Sequence, residues 1–272
     1  CRESYSDPEN ILEALRRRNM NLFTLTDHDS IDGAEILRRY PEFFLSEELT
    51  CHMPSGTEVH IGVYDFHERQ HDQLQRRRND LPRLLMYLTE RRILFSINHV
   101  FSSLTGRRET NDFAWFRDYF PAIETRNGHM LLKANAHATR LARRWQKIGI
   151  GGSDAHALAS VGATYTDVPG ARTKQEFFDG LKTGQGRVRG ESGCFMKLTR
   201  DVFLIAREMM REKPWTALLA PLALAVPVMT LWNYRDEQVF LERWSAELFG
   251  ERPGRGRIRW AATPTRALGE WA

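Results

Sequence analysis

The sequence predicts an α/β protein built on a mostly parallel sheet or barrel, and two observations predict it. Short apolar runs alternate with stretches of helical periodicity, the pattern of βαβ units. Polar, metal-ligating side chains cluster just after those runs, at Asp27-His28-Asp29, Asn98-His99, Glu124 with Asn127, and Asp154-Ala155-His156. In α/β barrels that end of the strands is the catalytic face.

Each element has its own signal. Asp7-Pro8 ahead of Ile11, Leu12 and Leu15 marks a helix start, with Asp7 as N-cap and Pro8 in the first turn. Residues 21–26 read as a buried strand, and Asp32-Gly33 leads into a second helix at 34–37. Strands are expected at 59–64 and 93–97. Between them a helix over 73–89 puts Leu81, Leu84, Leu85 and Leu88 on one face. Further strands at 122–125 and 148–151 flank a helix over 134–146.

The character changes after about residue 198, which divides the chain into an expected catalytic domain, 1–198, and a helical C-terminal region, 199–272. Residues 201–212 read as a charged amphipathic helix, whereas 214–234 hold no Asp, Glu, Lys or Arg. As a helix, Trp215 to Trp232 would reach roughly 27 Å. Trp215, Trp232 and Tyr234 would then suit interfacial anchors, with Pro221 and Pro227 tolerated as kinks. Two readings stand side by side: insertion or docking at a membrane through 214–234, and a buried helical hairpin packed on the catalytic domain. Residues 253–257, Pro-Gly-Arg-Gly-Arg, read as a flexible basic end.

Composition narrows the function classes. With 272 residues and 42% hydrophobic content the chain can bury one sizeable core. A charged fraction of 27% excludes wholesale disorder. The formal charge of +4 is too small to argue for a nucleic-acid partner, yet it is compatible with an anionic substrate. Cys1, Cys51 and Cys194 form no CxxC pair, so neither a disulfide framework nor a thiolate zinc finger is expected, and a reducing, cytoplasmic setting is. Charged Arg2-Glu3 argue against a signal peptide, and the start at Cys1 rather than Met reads as a trimmed chain.

The polar clusters carry metal chemistry. A carboxylate beside a metal-bound imidazole fixes its tautomer, as Asp27 and Asp29 could do for His28. In Ser153-Asp154-Ala155-His156 a D-x-H spacing presents carboxylate and imidazole on one side of an extended chain, after a Gly151-Gly152 turn. Glu48 and His60 add a carboxylate able to bridge two cations and a further imidazole. Paired cations clamp the attacking and leaving oxygens of a phosphoryl displacement and generate hydroxide at neutral pH. A His and carboxylate set without Cys suits zinc, manganese or iron.

In order, TDHDSIDG, SEEL, EVHIGVY, INHV, IETRNG and GGSDAH resemble the PHP family, named for its polymerase-associated and histidinol-phosphatase members, from about Ser4 to Arg189. The resemblance implies a distorted (β/α)7 barrel, here without its first strand, and phosphoester hydrolysis with two or three divalent ions. By motif it implies metal ligands at His28, Glu48, His60, His99, Asp154 and His156. One ion would sit on Glu48 and Asp154 and a second on Glu48, His60 and His99. A third would lie near His28 and His156 with Asp7. Family members carry an H-x-H pair upstream of the segment matching Ser4 to Pro8, so either the chain is trimmed or its first metal site is incomplete. Val100 stands where a proline usually follows the His99 position.

Asp154 and His156 are the expected catalytic residues, with Arg126 as a phosphate-binding fork. His52, His67, His71, His129 and His137 are expected to be surface or satisfied histidines, although His129 follows Glu124 and Asn127 closely. Arg107, Arg108 and the run Arg76-Arg77-Arg78 read as solvated charge. The leading function is hydrolysis of a nucleotide or small phosphorylated metabolite by metal-activated hydroxide. Alternatives are a catalytically incomplete metal-binding or membrane-tethered scaffold, and a histidinol-phosphate phosphatase.

Overall fold

The structure, a computed structural model, describes residues 6–250. Helix α1 (Pro8–Arg17) begins as the sequence dictates: the Asp7 carboxylate accepts from the Glu9 and Asn10 amides, and Leu12 and Leu15 are buried. The next segment does not form the expected strand over 21–26. It meets its neighbour only through isolated parallel bridges, Phe23 to Phe43 and His28 to Glu48. Helix α2 (Asp32–Leu37) lies between those two contacts in sequence.

A five-stranded sheet forms the centre. Strands β1 (Ser46–His52) and β2 (Glu58–Tyr64) are an antiparallel hairpin, and β2 is antiparallel to β3 (Leu94–Ile97). From β3 the sheet continues in parallel through β4 (Ala122–Asn127) and β5 (Ile148–Gly152). Between β2 and β3 the expected single helix is two, α3 (Glu68–Gln75) and α4 (Leu81–Glu90). The break has a local cause. Asp80 caps α4 by accepting from the Arg83 amide, and Pro82, lacking an N–H, belongs in a first turn and not in a helix interior. Leu81, Leu84, Leu85 and Leu88 are buried as the periodicity requires. The parallel crossovers are α5 (Thr110–Tyr119), before β4, and α6 (Leu132–Arg144), before β5.

The expected barrel is not formed: no sheet closes among the described residues. Strands β6 (Thr164–Asp167) and β7 (Arg187–Gly190) make a separate antiparallel pair, with α7 (Lys174–Lys182) between them in sequence. The seam between β5 and β6 is closed by a side chain. The Thr166 hydroxyl accepts from the Gly151 amide at 2.8 Å and donates to the Gly151 carbonyl at 3.1 Å.

Helix α8 (Phe195–Glu212) runs across the expected division at 198, and a 3-10 segment (Pro214–Ala225) joins it to α9 (Val226–Phe249). Trp244, 1% exposed, anchors α9 against Phe113. The 214–234 region forms neither a single spanning helix nor a buried hairpin. Pro221 lies inside the 3-10 stretch and Pro227 in the first turn of α9, so one long α-helix is excluded. Trp215, Leu218, Leu224 and Trp232 are 66, 84, 85 and 70% exposed, which also excludes a buried hairpin. No helix among the described residues is long and apolar enough to cross a membrane. The expected basic end at 253–257, and Cys1 and Arg2-Glu3, lie outside the described residues.

Candidate metal centre

Sheet register brings the first ligands together. Side chains alternate along a strand, so Glu48 and Thr50 share a face of β1, and His60 of β2 stands opposite Thr50. The bridge to Glu48 sets His28 beside the same face. Its Nε2 lies 3.3 Å from Glu48 Oε2, while the other Glu48 oxygen accepts from Asn98 Nδ2 at 2.7 Å. His99, just past β3, has a positive φ of 29°, a costly conformation for a side-chain-bearing residue. Its amide donates to Glu124 at 2.8 Å, which helps hold that turn. His99 Nε2 is 2.8 Å from His60 Nδ1 and 3.9 Å from Glu48 Oε1.

The second set lies on loops beyond β4 and β5. Asp154, also at positive φ (48°), accepts from Asn127 Nδ2 at 3.0 Å. Asn127 donates as well to Glu124, so one amide ties the His99 turn to the Asp154 turn. A Cβ on Gly128 would come within 2.4 Å of the Ser153 carbonyl, so the two loops meet this closely only with glycine at that position. His156 stacks on His129 with centroids 5.5 Å apart, and His129 Nε2 is 3.0 Å from Asp201 Oδ2 on α8. The start of α8 is pinned there, because the Gly193 amide donates to Met130 O at 2.8 Å.

Electrostatics suits cation binding at two of these residues, His60 and Asp154. Burial, assisted by His99 and His28, lowers His60 to about 3, so its ring is neutral. Burial opposes charge on His99 too, but a hydrogen bond with Glu124 and the charge of Glu48 outweigh it and raise it to about 9. His99 Nε2–H is therefore the donor to His60 Nδ1. Burial pushes the Glu48 carboxyl upward, with His99 opposing and Asp154 adding to the shift. Burial would likewise raise Asp154, but His156, His99 and His129 and the Asn127 hydrogen bond hold it at about 2. A neutral imidazole and an ionised carboxylate are the forms that bind cations.

Two groups of three side chains could each hold an ion, His28-Glu48-His60 and His129-Asp154-His156, with ligand atoms within 4.8 Å of one another in each group. Both donor sets, nitrogen and carboxylate oxygen without thiolate, fit a divalent cation. His99 lies between them, and both groups border one cavity of about 880 Å³. Two of the expected site residues are not brought to that cavity. Asp7 is engaged as a helix cap away from that cavity, its side chain satisfied by local amides. Arg126 is also outside it, since its Nη1 donates to the Gly190 carbonyl at 2.8 Å. Of the histidines set aside, His129 joins a ligand group; its place just after β4, like that of His99 after β3, was the available signal. Asp201 was missed because it belongs to a helix that sequence pattern assigns to the C-terminal region.

Fold and site together define an α/β protein with a His and carboxylate centre suited to divalent cations. A family model described as PHP-associated (PHP_C) matches residues 133–185, a segment containing Asp154 and His156, and the resemblance to the PHP family read from the motifs is borne out. No curated protein matches the chain. Among solved structures, PsfC from Pseudomonas syringae PB-5123 is similar with 18% identity and a TM-score of 0.53, over 78% of this chain and 91% of that one, so the two share a fold. An amidohydrolase from Chromobacterium violaceum matches with 16% identity and a TM-score of 0.48, over 70% and 95% of the two chains. The lesion-specific endonuclease PfuEndoQ from Pyrococcus furiosus matches with 16% identity and a TM-score of 0.47, over 66% of this chain and 52% of that one.

Proposed function

We propose that the chain hydrolyses a phosphoester with divalent cations held by its two ligand groups. One observation carries the reading: six ligand side chains from separate parts of the sequence border one cavity, with His99 between the two groups. When bound, the cations would neutralise phosphate charge and lower the pKa of water toward about 7. The protein's own part is to position and exclude. Glu48 holds an oxygen toward His28, Asp154 stays ionised, and the stacked His129 and His156 rings border the space where an ester would enter. Histidines beyond the number needed as ligands can donate to phosphate oxygens.

The test is metal analysis of the purified protein with a phosphatase screen of wild type and His156→Ala. Turnover should fall more than about 100-fold, because changing even a partner of a ligand costs 10–100-fold. The thermal midpoint should hardly move, since His156 is not part of the core. Equal turnover in the variant would discard this site.

A further inference from the structure

The wall facing the metal centre is unlike that of a site for polyanions. Helices α8 and α9 each turn one face to the cavity. From α8 come Leu198, Asp201, Val202 and Ile205, and from α9 Thr230, Asn233, Tyr234 and Glu237, both spaced i, i+3, i+4, i+7. On α8 the one charged member, Asp201, is taken up by His129, Ser160 and Arg200, which leaves an apolar stripe of Leu198, Val202 and Ile205. Leu104, Met130 and Leu131 extend it from the loops after β3 and β4. The wall is fixed to the centre through Glu237, which accepts from Ser102 Oγ and the Ser103 amide at 2.9 Å each, just beyond His99.

The charges point the same way. Arg78 is the only Lys or Arg among the described residues bordering the cavity, and its guanidinium is engaged by Asp29 at 2.7 Å. Asp29, Glu48, Glu58, Asp154, Asp201 and Glu237 are all on the border. Cations on the two ligand groups can satisfy one phosphate, but a second phosphate would face carboxylates with no free guanidinium. Val202 is 40% exposed on the cavity side of α8, an apolar surface that gains by being covered.

Resting on the phosphoesterase reading above, we infer that the substrate is an amphiphilic phosphoester: its phosphate is held between the ligand groups and an alkyl chain lies along Leu198, Val202 and Ile205. Nucleotides and nucleic acids are the disfavoured esters.

The experiment measures kcat/KM of the metal-loaded full chain on n-alkyl phosphates from methyl to octyl, kept below their aggregation concentrations, with adenosine monophosphate alongside. Calorimetric binding of the matching alkylphosphonates supplies a readout free of turnover. Both should rise about fourfold per methylene until the stripe is covered. Val202→Asp should flatten both slopes, and circular dichroism checks that it folds. A flat series with measurable turnover, or adenosine monophosphate cleaved faster than hexyl phosphate, overturns this inference and leaves the phosphoesterase standing. No turnover of any ester together with no phosphonate binding overturns both.

Discussion

Glu48 and His60 stand on neighbouring antiparallel strands, and a bridge from β1 fixes His28 beside them, whereas His129, Asp154 and His156 all sit on loops past strand ends. The first group inherits its geometry from backbone ladders, and a one-residue slip would turn those ligands to the other face. The second depends on a positive φ at Asp154, a glycine that lets two loops touch, and a carboxylate supplied by α8. One centre thus joins a sheet-built half to a half assembled from turns, and the latter needs the C-terminal helices for support.

Glu48→Gln strikes the sheet-built half directly and should have the largest effect. Turnover should drop more than about 100-fold and bound metal should fall by elemental analysis. Unchanged metal content would break the idea that this half binds an ion at all. Gly128→Ala strikes the other half through backbone alone. Its Cβ would push against the Ser153 carbonyl, and a shift of about 1 Å at reacting groups costs about 100-fold in kcat/KM. Circular dichroism should remain native, and wild-type kinetics would show that the loop contact is slack. The smallest change comes from Asp201→Asn, which leaves every ligand in place. Chelator competition should find one ion held about tenfold more weakly and the other unaffected. Equal weakening of both would show that α8 supports the whole centre and not its loop half.

The same contrast explains what could be read from the residues. His28, His60, His99, Asp154 and His156 were legible because each interrupts or closes an apolar strand run, where a polar side chain has no packing role. Glu48 was legible as a carboxylate able to bridge two cations, and the motif order gave it its place. Asp7 shows the limit of that order: a capping carboxylate and a ligand look alike in one dimension, and the Glu9 and Asn10 amides decide the matter. Arg126 lies next to Asn127, yet the register shift in β4 between Glu124 and Arg126 puts Asn127, and not Arg126, beside Glu124. The barrel was over-read because β6 and β7, with exposed and half-exposed residues, carry no apolar run to locate them, and nothing local reveals that β2 runs antiparallel. Pro82 and Pro227 mark where α4 and α9 begin and Pro221 lies in the 3-10 stretch, a signal present in the sequence that hydrophobic periodicity does not carry.

Thr166 gives the larger sheet an unusual border. A ladder has many rungs and fails only when several let go, but here one hydroxyl both gives and takes the bonds that tie β6 to β5 at Gly151. Asp154 and His156 follow directly from β5, and the smaller sheet is held beside that strand by this hydroxyl together with Arg126 Nη1, which donates to the Gly190 carbonyl. Tilting the two sheets against each other would break side-chain bonds and no strand pair, so the seam can yield while the register of every strand is kept.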